Sequence, residues 1–501
     1  MLAALVVPQP GAATAAPTPQ PTSVCNRSPC DPDEIVGALR GGTSVSLTQT
    51  TIDGTVDLTH LGSVDAVFRC SDCRLEGSLL AANVTFEKRL DLGGLVVRDG
   101  VDFNGATFRA PVLFGSEFDP AGAGAEFKRT ADFSLATFED LVSFQGALFD
   151  GTADFRLARF QGESSFDSAQ FHDAHFTAAV FSGPTRFDEA AFGGEATFDR
   201  AAFRAAADFR VQSFERPASF GGADFEGTAD FSLAVFRQGG DFDGTRFAQG
   251  ASFAGGEFSA LPFERGAAFE GVSSQKKLDF TDATFHGLAD FRELAAAAVS
   301  FDGIHLLGPQ TTLLMGKVSA DDVLLPVADV DRIGREARER ILSLIESSAK
   351  ARGEIGLAND AHYERRVLAS HREKWPRRMA DTIFYRGVVG YFVRPLHPLL
   401  TALGLALLLA LWREFGPKSP RPRLLVRVGS AAGRRLSPLG RVLGGVYESV
   451  ASVGRGHPDP ANQRPVGRRL EILAYRVLVV CALIGLANSN PTLRQMFDAL
   501  L

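Results

Sequence analysis

The 501-residue chain carries none of the common catalytic signatures. It has no phosphate-cradling Gly-rich loop and no Rossmann glycine fingerprint, which removes the usual nucleotide sites. It also has no H-E-x-x-H and no G-x-S-x-G, which removes the familiar zinc-protease and serine-hydrolase sites. The nine histidines are scattered, and the closest pairs, His172 with His175 and His362 with His371, fit no metal-ligand spacing. These absences predict a protein that is not an enzyme and holds no cofactor and no metal.

Cysteine is scarce too, with five in the chain, four of them near the N-terminus: Cys25, Cys30, Cys70 and Cys73. Two disulfides in an oxidising compartment, a zinc ion on the C-x4-C and C-x2-C spacings, and free thiols all stay open at this point. Cys481 lies in an apolar run and is read as inert. The start resembles the end of a secretory signal, with an apolar run Leu2–Val7 and an A-x-A site at Ala13-Thr14-Ala15, but it lacks the basic leading residues. A Pro- and Ala-rich stretch follows, and residues 1–30 are taken as a signal-like lead-in.

What the chain does have is a repeat. From about Leu75 to Phe301 large apolar residues recur at alternating steps of five and six, most clearly at Phe133, Phe138, Phe144, Phe149, Phe155, Phe160, Phe166 and Phe171. A small residue, as in Ala131, Ala136, Ala153 and Ala158, sits two positions before most of them. This period fits neither a 3.6-residue helical turn nor simple strand alternation. It fits a chain that turns a corner every five or six residues and points one large and one small side chain inward on each side. Four sides make a coil of about 20 to 22 residues, and some ten coils stacked at roughly 4.8 Å give a solenoid about 45 to 50 Å long.

Units such as Ala131-Asp132-Phe133-Ser134-Leu135, Ala153-Asp154-Phe155-Arg156-Leu157 and Ala229-Asp230-Phe231-Ser232-Leu233 resemble pentapeptide repeats. The resemblance implies an all-β, right-handed quadrilateral β-helix, here assigned to residues 31–325. The extra residue of every second unit is placed at a corner. Asp119 to Gly124 reads as an inserted loop, Gly271 to Lys277 as a skipped rung that bulges outward, and Ser44 to Leu58 as irregular capping coils. The aspartates just before the rungs, among them Asp132, Asp154, Asp208 and Asp230, are expected to point outward as an acidic face. That face could take calcium or a cationic partner, or serve only to keep the rod soluble. Between residues 101 and 301 there are 16 Lys and Arg against 30 Asp and Glu, a net of −14 where the whole chain is −7.

The second half changes character. Asp329–Lys350 and Ile355–Trp375 read as a helical hairpin around Gly353, within a linker of residues 326–385. Residues 386–501 read as a membrane hairpin. Pro395–Trp412 is eighteen residues without a charge, and Ile472–Ala487 is a second span whose Arg476 could snorkel. The loop between them is rich in arginine, from Arg421 to Arg469, which by the positive-inside rule places it in the cytoplasm and the repeat domain outside. A basic stretch from Arg372 to Arg386 opposes that assignment.

The expected function is a membrane-anchored scaffold whose acidic β-helix binds a protein or a wall polymer, with a homodimer through a Phe-rich last coil as a further expectation. Nucleic acid is not an expected partner. Two alternatives remain. Val446 to Gly456 faintly resembles the filter of two-helix potassium channels, although Arg455 stands where the tyrosine would be, so a channel with a regulatory repeat domain is one. The other follows from soluble pentapeptide-repeat proteins that resemble DNA and bind topoisomerases.

Overall fold

The computed structural model describes residues 24–25, 29–115, 124–259, 265–335 and 337–372, together with Leu400, Thr401 and Gly404. The second candidate membrane span, the Arg-rich loop, the channel-like segment, Cys481 and all of the first span but those three residues lie outside the described residues. Among the described residues no helix is long and apolar enough to cross a membrane. The chain divides into two units, Met1–Ala320 and Asp321–Leu501.

In the first unit alternating small and large inward residues close the coil as expected. Ala131, Phe133, Ala136 and Phe138 are all buried, while Asp132, Ser134, Leu135 and Thr137 between them are half-buried or exposed. Most sides hold a two-residue strand that pairs in parallel with the same side of the next coil, as Thr137–Phe138 does with Arg159–Phe160. Phenylalanines consequently form four stacks. In one of them Phe103, Phe133, Phe155, Phe176, Phe198 and Phe220 lie face to face, with ring centroids 4.7–5.4 Å apart. Rings of different stacks meet edge-on, as do Phe144 and Phe155 at 5.3 Å and 82°. Both geometries suit the aromatic quadrupole.

The two kinds of side turn differently. Five-residue steps place one residue in the left-handed region two positions after the rung, as at Leu135 and Leu157 with φ of 59° and 61°. Six-residue steps spend their extra residue at the corner instead, as at Glu139–Leu141.

The solenoid has about 12 turns rather than ten, or roughly 55 to 60 Å at the inter-strand spacing. The added length comes from both ends. Val45–Thr48 pairs in register with Phe68–Ser71, so Ser44–Leu58 belongs to a regular first coil and not to an irregular cap. At the other end His305–Leu314 still pairs with Thr284–Asp290. The cap is a helix that the sequence reading missed, α1 (Pro32–Arg40). Asp31 accepts a hydrogen bond from the Asp33 amide at its N-terminus, and Ile35 and Leu39 are buried at the end of the stack.

Register shows where the repeat is interrupted. Val97 faces Leu75 on one side and Phe127 on the other, which confirms an insertion between Phe114 and Ala125. A second insertion went unread. Ala218 faces Gly240, but Gly240 faces Ala267, so extra residues follow Phe258. By contrast, no rung is skipped at Gly271–Lys277. Ser273–Ser274 pairs with Arg246–Phe247, and Ser274 takes the place of a phenylalanine.

A different defect lies inside the solenoid. Gln212 occupies a small inward position between Ala190 and Ala234, is 1% exposed, and its amide has no hydrogen-bond partner. Burying an unsatisfied amide costs about 1–3 kcal/mol. Gln212→Ala, which restores the residue of both neighbouring coils, should therefore raise the midpoint of urea unfolding. A lowered midpoint would mean that the amide is satisfied by water.

In the second unit a 3-10 turn, Val327–Arg332, precedes α2 (Arg338–Arg352) and α3 (Ile355–Ser370). The hairpin around Gly353 is as expected, with Gly353 at φ +78° closing α2. Its first helix begins later than Asp329 and its second closes at Ser370. Glu346 is buried at the centre of the hairpin, where Lys350 and His362 hydrogen-bond its Oε1 at 2.5 and 3.1 Å and Arg365 lies 2.7 Å from Oε2.

Candidate binding surface of the solenoid

The rung-preceding aspartates do not form one face. Asp132 stacks on Asp154 in one sheet, while Asp208 stacks on Asp230 in the other. Each also makes local hydrogen bonds. Asp132 accepts hydrogen bonds from the amide and hydroxyl of Ser134 at 2.8 and 2.5 Å, and Asp230 does the same with Ser232. Asp154 accepts from the amide and guanidinium of Arg156, and Asp208 from those of Arg210. Each carboxylate thus fixes the residue before a left-handed corner, a local turn-forming role. Asp154 is only 7% exposed.

Charge is further balanced between coils. Arg98 meets Glu76 at 2.6 Å, Arg109 meets Glu87 at 2.8 Å, Arg237 meets Glu215 at 2.8 Å and Arg292 meets Glu270 at 2.6 Å, each pair on successive coils. Arg210 binds Asp208 at 2.7 Å and approaches Asp188 and Asp230 at 3.8 and 4.0 Å, which raises its already high pKa. Burial, with the adjacent Asp208, pushes the Asp188 carboxyl above its ordinary value. Individually such exposed pairs contribute little. Together they set the register of charge along the rod. Among the described residues no group of His, Cys, Asp or Glu could hold a metal ion, so the calcium reading has no cluster to rest on.

The cysteines are paired within each local spacing. Cys25 is bonded to Cys30 and Cys70 to Cys73, with Cα separations of 5.4 and 5.6 Å, inside the range a disulfide spans. Cys70 and Cys73 are inward residues flanking Asp72, which has φ +53°, so this bridge clasps a corner of an early coil. Cys30 bridges to Ile52 and ties the segment before α1 to the first coil.

Corner positions also carry exposed apolar side chains in the left-handed region, at Leu135, Leu157, Val211 and Leu233. Val211 is the most strained, since it is β-branched, has φ +55° and is 51% exposed. Asn tolerates that conformation, so Val211→Asn is expected to stabilise the protein by about 1 kcal/mol. An unchanged or lower melting temperature would show that Val211 has contacts worth more than its strain.

The surface recedes beside the Phe171–Phe176 side. The side from Phe171 to Phe176 is one residue shorter than those above and below it, so Ala174 pairs directly with Ala153 and Ala196. Asp173 Oδ1 accepts the Glu195 amide at 2.9 Å where a main-chain partner is missing. From this point a groove of about 760 Å³ runs across successive coils as far as Ala268, with Gly194, Gly239 and Gly240 in its floor. Sequence reasoning missed it. The single-residue shortening before Phe176 was the available signal.

Residues 123–170, 166–210 and 213–257 each match the family model described as pentapeptide repeats (9 copies). These coils are pentapeptide repeats. No curated protein and no solved structure has a significant match to the chain. In the family's terms the large central residue is the stacked Phe, the residue two before it is the buried Ala, and Asp between them is the corner acceptor. The pentapeptide-repeat solenoid continues beyond the matched residues at both ends, in coils where some rungs are Leu75, Val97 and Leu306 in place of Phe.

Proposed function

We propose that the protein is a non-enzymatic scaffold in which membrane spans within residues 386–501 anchor the pentapeptide-repeat solenoid. The solenoid lies outside the cytoplasm and presents its side to a protein or a wall polymer. The observation that carries this reading is the unbroken parallel stack itself. It is rigid, each coil touches only its neighbours, and it leaves a long regular outer surface. The apolar stretches Pro395–Trp412 and Ile472–Ala487 and the arginines between them support the anchor and its orientation. The paired cysteines suit an oxidising compartment. A DNA-mimic role is less well supported, because many carboxylates that would imitate phosphates are paired with arginine on the next coil.

Fractionation of expressing cells tests the anchor. The full chain should stay with membranes after an alkaline carbonate wash and leave them only in detergent. A chain ending at residue 385 should be released. Release of the full chain by carbonate would sink the proposal.

A further inference from the structure

We propose that the groove beside the shortened Phe171–Phe176 side docks an extended segment of a basic polypeptide, rich in lysine or arginine. This inference rests on the scaffold reading above and names the chemistry of the protein partner. Four carboxylates line the groove, Asp173, Glu195, Asp241 and Asp243, against a single arginine, Arg216. Elsewhere on the solenoid an arginine commonly answers the carboxylate, as at Asp154, Asp208, Asp224 and Asp290. Asp173, Glu195 and Asp241 differ, since none of them meets a lysine or an arginine among the described residues. His172 comes within 3.9 Å of Asp173 and adds a cation there only when protonated. Asp173 accepts the Glu195 amide at 2.9 Å and Asp241 the Asp243 amide at 2.9 Å, contacts that orient each carboxylate without neutralising it. A cleft lined mainly by charge of one sign concentrates its potential and draws in the opposite charge.

Two further groove residues separate a polypeptide from other cations. Arg216 and Gln238 make no side-chain hydrogen bond or ion pair among the described residues, so both present N–H donors to an occupant. A peptide brings acceptors with its cations, because its main-chain carbonyls can take those donors while its side chains meet the carboxylates. A polyamine brings donors alone and would leave Arg216 both unpaired and repelled. A nucleic acid or another polyanion would face the carboxylates. Main chain can approach the floor because Gly193, Gly194, Gly239 and Gly240 carry no side chains. A Cβ at Gly194 would come within 2.3 Å of the His172 carbonyl oxygen, so the fold keeps that floor bare. The groove runs over five successive coils, from His172 to Ala268, a length of about 19 Å that about six extended residues cover.

The test uses the full-length protein in detergent and follows the fluorescence anisotropy of a labelled hexapeptide, capped at both ends, with four lysines and two alanines. It should bind saturably, and raising the salt from about 50 to about 300 mM should weaken binding about fivefold or more. The triple variant Asp173→Asn, Glu195→Gln, Asp241→Asn removes three charges but keeps the oxygens that accept the two amides. It should weaken the hexapeptide about tenfold or more, with an unchanged melting temperature. A control variant, Asp140→Asn, Glu226→Gln, Asp302→Asn, removes three exposed carboxylates elsewhere on the solenoid and should bind like the parent. Spermine, with the same four charges and no carbonyl, should compete about tenfold less well than the unlabelled hexapeptide. Absence of saturable binding at millimolar concentration would overturn the inference. So would a groove variant that binds like the parent, a control variant as weak as the groove variant, or spermine that competes as well as the hexapeptide. None of these outcomes bears on membrane anchoring, which the carbonate wash decides separately.

Discussion

Phe155→Ala is expected to destabilise the solenoid by about 3–5 kcal/mol, the cost of emptying a large buried aromatic site that cannot collapse. Phe155 is fully buried, stacks on Phe133 and Phe176 at 4.9 and 4.8 Å, and meets Phe144 and Phe166 edge-on. In a compact globule neighbours could shift into the space. Here each coil is held by parallel pairing on both sides, so the rings above and below stay where they are. Stability in such a stack is close to a sum of coil and interface terms, and this substitution weakens two interfaces at once. Urea unfolding followed by circular dichroism should show a lower midpoint for the strand signal. Phe155→Leu should show a much smaller loss. A loss below about 1 kcal/mol for the alanine variant would contradict a close-packed ring stack.

The second large effect is expected in the helical hairpin. Glu346→Ala removes a buried carboxylate that faces Lys350, His362 and Arg365, leaving the charges of Lys350 and Arg365 together at the α2–α3 packing surface. Breaking a buried ion pair from one side costs about 3 kcal/mol or more. The helical signal of the variant should melt separately from the strand signal and at a lower temperature. Burial pushes the Glu346 carboxyl up, but hydrogen bonds from Lys350 and His362 and the charge of Arg365 outweigh this, and its net pKa is lowered. Because the folded value lies below the unfolded one, the stabilisation is fully present above about pH 4.3 and is lost as pH falls through the folded value. The parent hairpin should therefore lose stability on acidification in that window, and the variant should not. A variant with the parent's melting temperature and acid response would show that this cluster does not hold the hairpin.

Much of the fold was legible because a Phe stack writes its period directly into the sequence. The ladder from Phe133 to Phe171 is the clearest case, since each rung and each preceding Ala is a core position. The first coil was not legible as a coil because Val45, Leu47, Ile52 and Val56 fill the same positions without the aromatic mark. Helix α1 was missed although Asp31-Pro32-Asp33-Glu34 is a good helix start, because the repeat assignment had absorbed it. The insertion after Phe258 escaped notice because Phe263 falls five residues beyond one rung and six before another. Ring contacts show that the rung following Phe258 is Phe269.

The candidate site was only partly legible. Each aspartate could be placed one residue before a rung, but its face depends on counting coils. Asp154 and Asp208 are separated by a half-integral number of coils, and a 21-residue coil intervenes, so they face opposite ways. Their engagement with Ser134, Arg156, Arg210 and Ser232 depends on backbone geometry at the left-handed corners, which composition does not encode.

The most direct test of the account is the side of the membrane on which the solenoid lies. Gln249 is exposed, and Gln249→Cys in a chain with Cys481→Ser can be compared with the same chain lacking the new cysteine. Intact cells treated with a membrane-impermeant maleimide should label the Gln249→Cys chain strongly and the control weakly. Labelling that appears only after lysis would place the solenoid in the cytoplasm and contradict the account.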